Sequence, residues 1–209
     1  MALIKIERFS PDVMLGLWKI EEDEVQFKQL VSSCIWERVL SGSQSIARRR
    51  EKLAVYSLLS LMTGDKELLI THQATGRPIV DGWNIAISHT RGFAAVILSK
   101  QLKVAVDIEY MSTRVNRIAE KFIREDEYAP ETLGRLIIWC AKETMYKFYY
   151  EENLQYFDMR VADRLIDEEL SKVQEEEICK GVIYNMKRNI PLTFDYQITK
   201  DYILTWSMG

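Results

Sequence analysis

The segment KVAVDIEY, Lys103 to Tyr110, decides how this chain is read. Val104, Ala105, Val106 and Ile108 give it the texture of a buried strand, yet Asp107 and Glu109 place two carboxylates one residue apart. Residues two apart share a face, so Asp107 and Glu109 point one way while Val106, Ile108 and Tyr110 point the other. Two like charges so close repel unless a cation or water lies between them. Two readings fit: the solvated face of an edge strand, or an oxygen-only seat of the kind that suits Mg²⁺ or Mn²⁺.

Upstream, from Gly76, short apolar runs are split by turn residues: Pro78 to Val80, Asn84 to Ser88 and Phe93 to Ser99 precede KVAVDIEY. Asp81-Gly82 is a two-residue hairpin signal, so the region is expected to form an antiparallel meander. Before it, Ser43 to Met62 reads as a helix with Ile46, Leu53, Leu58, Leu59 and Leu61 as its apolar stripe and Thr63-Gly64-Asp65 as its stop. Downstream come helical patterns over Val115 to Ile123 and Thr132 to Tyr150, then strand patterns over Phe157 to Val161, Ile178 to Met186, Leu192 to Thr199 and Tyr202 to Ser207. The expected fold class is α+β, in two halves, 1–100 and 101–209, forming one compact unit with its site at the seam.

Length and composition agree with this. The 209 residues, 47% of them hydrophobic, suffice for a sizeable core. A net charge of -3 gives no support to a nucleic-acid partner, so any anion site must be local. Cys34, Cys140 and Cys179 are scattered and odd in number, which argues against a disulfide framework or a zinc site and suits a reducing cytoplasm. Neither a secretory leader nor a membrane span is expected.

Further candidate residues lie in WCAKETMYK, Trp139 to Lys147. Glu143 and Lys147 stand four apart, which fits an ordinary surface ion pair. It also fits a carboxylate turned inward to join Asp107 and Glu109, or to act as a base, with Lys147 kept beside it for developing charge. Arg48, Arg49 and Arg50 lie early in their helix, where cations oppose the macrodipole unless an anion is present. They are either a solvated basic face or a phosphate site. Arg77 in TGRP and Ser88-His89 add donors near KVAVDIEY in chain order, although a lone histidine is also commonly structural.

In order, RRREKLA, TGRP, NIAISHT, VAVDIE, KFIREDEY and WCAKETMYK resemble the phosphopantetheinyl transferases of the surfactin and enterobactin type, a monomeric class with two pseudo-equivalent halves. The resemblance spans Arg48 to Lys147. It implies Mg²⁺-dependent transfer of 4′-phosphopantetheine from coenzyme A to a serine of an apo acyl or peptidyl carrier protein, with release of 3′,5′-ADP. It further implies metal binding by Asp107, Glu109 and Glu143, proton acceptance by Glu143, and stabilisation of the leaving group by Lys147. Coenzyme A contacts would come from His89 with Ser88, from Arg77, and from an arginine among Arg48, Arg49 and Arg50. Glu127 of KFIREDEY matches an acidic position near the site.

The chain departs from the pattern at Ala105, where many members have glycine, and at Val55-Tyr56, near which many carry a second arginine. Its tail after Tyr150 matches only in the order of strands. A Mg²⁺-dependent nucleotide pyrophosphohydrolase would use the same three carboxylates with water as acceptor. A non-catalytic module that binds coenzyme A or a carrier protein is the other alternative.

Overall fold

The computed structural model describes residues 2–162 and 177–209. The chain divides into two units, Met1–Val104 and Ala105–Gly209.

The first unit begins with two strands absent from the sequence expectation, β1 (Leu3–Ser10) and β2 (Val13–Lys19), joined across Pro11-Asp12. Two short capped helices follow. In α1 (Glu24–Phe27), Asp23 and Gln26 form a reciprocal capping box, and in α2 (Ser33–Ser41) the Ser32 side chain accepts from the Ile35 amide. The long helix α3 (Ile46–Thr63) starts at Ser45 and stops at Gly64, whose φ of 78° is the left-handed conformation that favours glycine.

The expected stripe on α3 is corrected. Positions 53–60 are buried around the whole circumference, whereas Ile46 and Leu61 are exposed. The polar members of this buried stretch must therefore be satisfied locally, and Ser57 Oγ donates to the Leu53 carbonyl at 2.8 Å.

The remaining strands are β3 (Thr71–His72), β4 (Pro78–Ile79), β5 (Asn84–Thr90) and β6 (Phe93–Ser99). The main sheet has the order β1-β2-β6-β5, all antiparallel, while β3 and β4 pair separately. α3 lies close on β2, because Gly16 has no side chain: a Cβ there would come within 2.7 Å of Met62 and 2.9 Å of Leu58. Met14, Trp18, Leu53, Leu58, Ala94 and Val96 belong to the core beneath it.

The expected four-strand meander also needs correction. At Asp81-Gly82 there is a single bridge, Val80 to Trp83, in place of a full hairpin. KVAVDIEY, which forms β7 (Val104–Tyr110), does not continue the sheet past β6, since β6 already has β2 on one edge and β5 on the other. With both rows of backbone groups on β6 occupied, β7 pairs elsewhere.

It enters the sheet of the second unit, of order β7-β11-β10-β9-β8. The partners are β8 (Met159–Val161), β9 (Ile178–Asn185), β10 (Ile190–Ile198) and β11 (Tyr202–Met208), and β8 to β11 pair antiparallel in succession. A 3-10 stretch over Thr113–Lys121 leads to helix α4 (Thr132–Phe148). The inner side of α4 packs Ile137, Cys140, Ala141 and Met145 against Ala105, Met159, Ile183 and Ile203. Two threonines peg it to β11: Thr144 and Thr205 share a 2.6 Å hydrogen bond, and Thr205 Oγ1 donates to the Cys140 carbonyl at 3.1 Å. The mixture of helices and antiparallel sheets is the expected α+β class.

Candidate active site

β7 and α4 hold the carboxylates. Asp107 is only 5% exposed, on a strand buried from Val104 to Ile108, so the solvated-face reading of KVAVDIEY does not hold for it. A buried carboxylate needs a cation or strong donors. Lys147 supplies both, with Nζ donating to Asp107 Oδ1 at 2.7 Å and to the Val106 carbonyl at 3.0 Å. The surface Glu143–Lys147 pair that the spacing permits thus gives way to partners distant in sequence.

Glu143 Oε1 accepts from the Tyr156 hydroxyl at 2.8 Å, and Glu109 Oε1 accepts from Trp139 Nε1 at 3.2 Å. The two donor rings pack together with centroids 5.2 Å apart, and Phe122 meets Trp139 edge-on at 5.1 Å. Each carboxylate is therefore oriented by an aromatic donor whose own position is fixed by its neighbours. Burial raises the Glu143 carboxyl above its ordinary value, the charge of Asp107 raises it further, and the Tyr156 hydrogen bond and Lys147 oppose the rise. Cys140, fully buried behind the site, is raised well above the usual thiol value by burial and then by the charges of Asp107 and Glu109.

Asp107 and Glu143 thus sense one another, with Glu109 turned to Trp139. Among the described residues no group of three or more histidine, cysteine, aspartate or glutamate side chains is gathered closely enough to hold a metal ion. The donors of Asp107, Glu109 and Glu143 are all oxygens, and the repulsion between the buried Asp107 carboxylate and the partly buried Glu143 carboxylate is what a hard divalent ion would relieve, so the donor chemistry of the set fits Mg²⁺.

Glu127 is employed otherwise. It is buried and receives Lys142 Nζ at 2.6 Å, the Arg124 amide at 2.9 Å and the Val161 amide at 2.7 Å. Lys142, with no exposed surface, also donates to the Phe122 carbonyl at 2.6 Å. Burial lowers Lys142 from the ordinary lysine value against the opposing pull of Glu127. Sequence reasoning missed this pair, and it missed Trp139 and Tyr156 as donors.

In the first unit the basic residues divide. Arg48 Nη1 lies 3.0 Å from His89 Nε2 and 2.9 Å from Glu51 Oε2, so Arg48 and His89 are brought together. Arg49 is bound by Glu24 and donates to the Ser43 carbonyl at 3.1 Å; the hydrogen bond to Glu24 raises its pKa. These carboxylates offset the charge that the arginines bring to the first turn of α3. Arg50 and Arg77 are half-buried, and Ser88 is buried on β5.

The model of the 4′-phosphopantetheinyl transferase superfamily matches residues 103–206, from β7 through β11. Residues 103–206 are a domain of that superfamily, and the matched span contains Asp107, Glu109, Glu143 and Lys147. Arg48, Arg49, Arg50, Arg77, Ser88 and His89 precede it. No curated protein matches the chain. Among the described residues no helix is long and apolar enough to cross a membrane.

Proposed function

We propose that the protein is a Mg²⁺-dependent holo-carrier-protein synthase of the surfactin and enterobactin type. It transfers 4′-phosphopantetheine from coenzyme A to a serine of an apo acyl or peptidyl carrier protein and releases 3′,5′-ADP. The observation that carries this is the superfamily match over a span in which Asp107, Lys147 and Glu143 lie in one electrostatic neighbourhood.

In this reading Asp107, Glu109 and Glu143 would hold the Mg²⁺ ion, which when bound neutralises charge on the pyrophosphate. Glu143 accepts the serine proton. The serine oxygen forms the new bond to phosphorus as the bond to the leaving phosphate oxygen breaks, and 3′,5′-ADP departs with that electron pair. Lys147 turns its ammonium to the charge on the leaving group. Arg48 with His89 is the best candidate for the 3′-phosphate of coenzyme A, with Ser88, Arg77 and Arg50 as further contacts. Arg49, already engaged by Glu24, is the weakest candidate of its cluster.

Mass spectrometry of apo carrier proteins incubated with coenzyme A and Mg²⁺ tests the reading. The expected result is the phosphopantetheine mass increment on carrier serine, with 3′,5′-ADP released only when carrier is present; release without carrier would mark a pyrophosphohydrolase. Asp107→Ala is expected to abolish Mg²⁺-dependent transfer. A mutant with unaltered Mg²⁺ dependence would remove Asp107 from the metal site.

A further inference from the structure

We infer that a cleft beside Glu143 is the port through which the acceptor serine reaches that carboxylate, an inference that rests on the transfer reading above. The cleft, of about 320 Å³, is lined by Glu143, Tyr146, Asn153, Leu154, Gln155 and Tyr156. That is at the small end for a ligand site, with room for a short stretch of peptide. A general base must lie within about 2.6–3.2 Å of the hydroxyl it deprotonates, so the serine has to arrive where Glu143 borders open space. The inner side of α4 is closed to it, since Ile137, Cys140, Ala141 and Met145 are packed into the core.

The cleft arises from a reversal of the chain after α4. Asn153, at a φ of 46°, takes the left-handed conformation that turns Leu154, Gln155 and Tyr156 back along the helix. Leu154, 2% exposed, gives an apolar floor, while Tyr146, Asn153 and Gln155 are exposed on the walls. An aromatic face with two amides suits an extended peptide, whose backbone offers both donors and acceptors. Because the Tyr156 hydroxyl holds Glu143 Oε1 at 2.8 Å, the carboxylate is a fixed part of the wall before the acceptor enters.

The test uses an apo acyl carrier protein that the unaltered protein modifies. Gln155→Trp fills the cleft and Tyr146→Ala removes its aromatic wall, both at exposed positions. Each is expected to raise KM for the carrier about tenfold, equivalent to about 1.4 kcal/mol, with KM for coenzyme A and the melting temperature unchanged. Calorimetric binding of a carrier whose serine is replaced by alanine should weaken by the same factor. Unchanged carrier KM in both variants would overturn the port, as would a rise in KM for coenzyme A alone, which would give the cleft to that substrate. If the unaltered protein transfers nothing to any carrier, the transfer reading itself falls and the port with it.

Discussion

Replacing Glu143 by glutamine is expected to lower the rate of phosphopantetheine transfer by about 10²–10⁴-fold, the usual contribution of a positioned general base. The substitution keeps the shape of the side chain and its capacity to accept from Tyr156, so coenzyme A binding should survive. Rapid-quench measurement of a single turnover separates the two effects, and a mutant as fast as the unaltered protein would refute the role of Glu143.

The same variant should behave differently in stability. The folded-state pKa of Glu143 is raised above its unfolded value, so the folded protein holds this proton more tightly than the unfolded chain. The ionised form therefore costs stability above the folded pKa, and the cost fades as pH falls through that pKa toward the unfolded value. Glu143→Gln in metal-free protein is accordingly expected to melt higher at pH 8, by the roughly 0.5–2 kcal/mol typical of relieving a strained active-site group. The gain should shrink on acidification, and a gain independent of pH would point to packing instead.

Lys142→Ala is expected to have the largest effect on folding, about 3–5 kcal/mol, because it leaves the Glu127 carboxylate buried without its cation. The loss exceeds what truncating a lysine stem would cause, and its cause can be isolated. In the double variant Lys142→Met with Glu127→Gln no buried charge remains, so much of the lost stability should return in urea denaturation. Single and double variants that are equally unstable would instead trace the loss to packing of the side-chain stem.

The elements of the second unit were largely legible from local pattern. Tyr202–Met208, Ile178–Asn185 and Thr132–Phe148 fall within a few residues of their expected ranges, because apolar runs bounded by turn residues leave little choice. The destination of β7 was not legible, since pairing with β11 depends on which sheet edge is unoccupied, and no feature of KVAVDIEY encodes that. For β1 and β2 a signal existed in Pro11-Asp12 between two strand-like runs.

The site was readable residue by residue but not partner by partner. Glu143 and Lys147, read together, suggested a pair on a helix surface. Folding sends Lys147 to Asp107 and Glu143 to Tyr156, 40 and 13 residues away along the chain. Spacing governs neighbours on one helix; which of two acids captures a lysine depends on burial, where a desolvated carboxylate has the stronger claim.

The burial of Cys140 has a practical outcome. Its thiol has no exposed surface and holds its proton firmly, whereas Cys34 lies in the open on α2. Since thiolates are what alkylating reagents attack, Cys34 should label promptly and Cys140 only during excursions that part α4 from β7. The slow labelling phase is thus a built-in chemical clock for the opening of the carboxylate site, readable by peptide mass mapping on the unaltered protein.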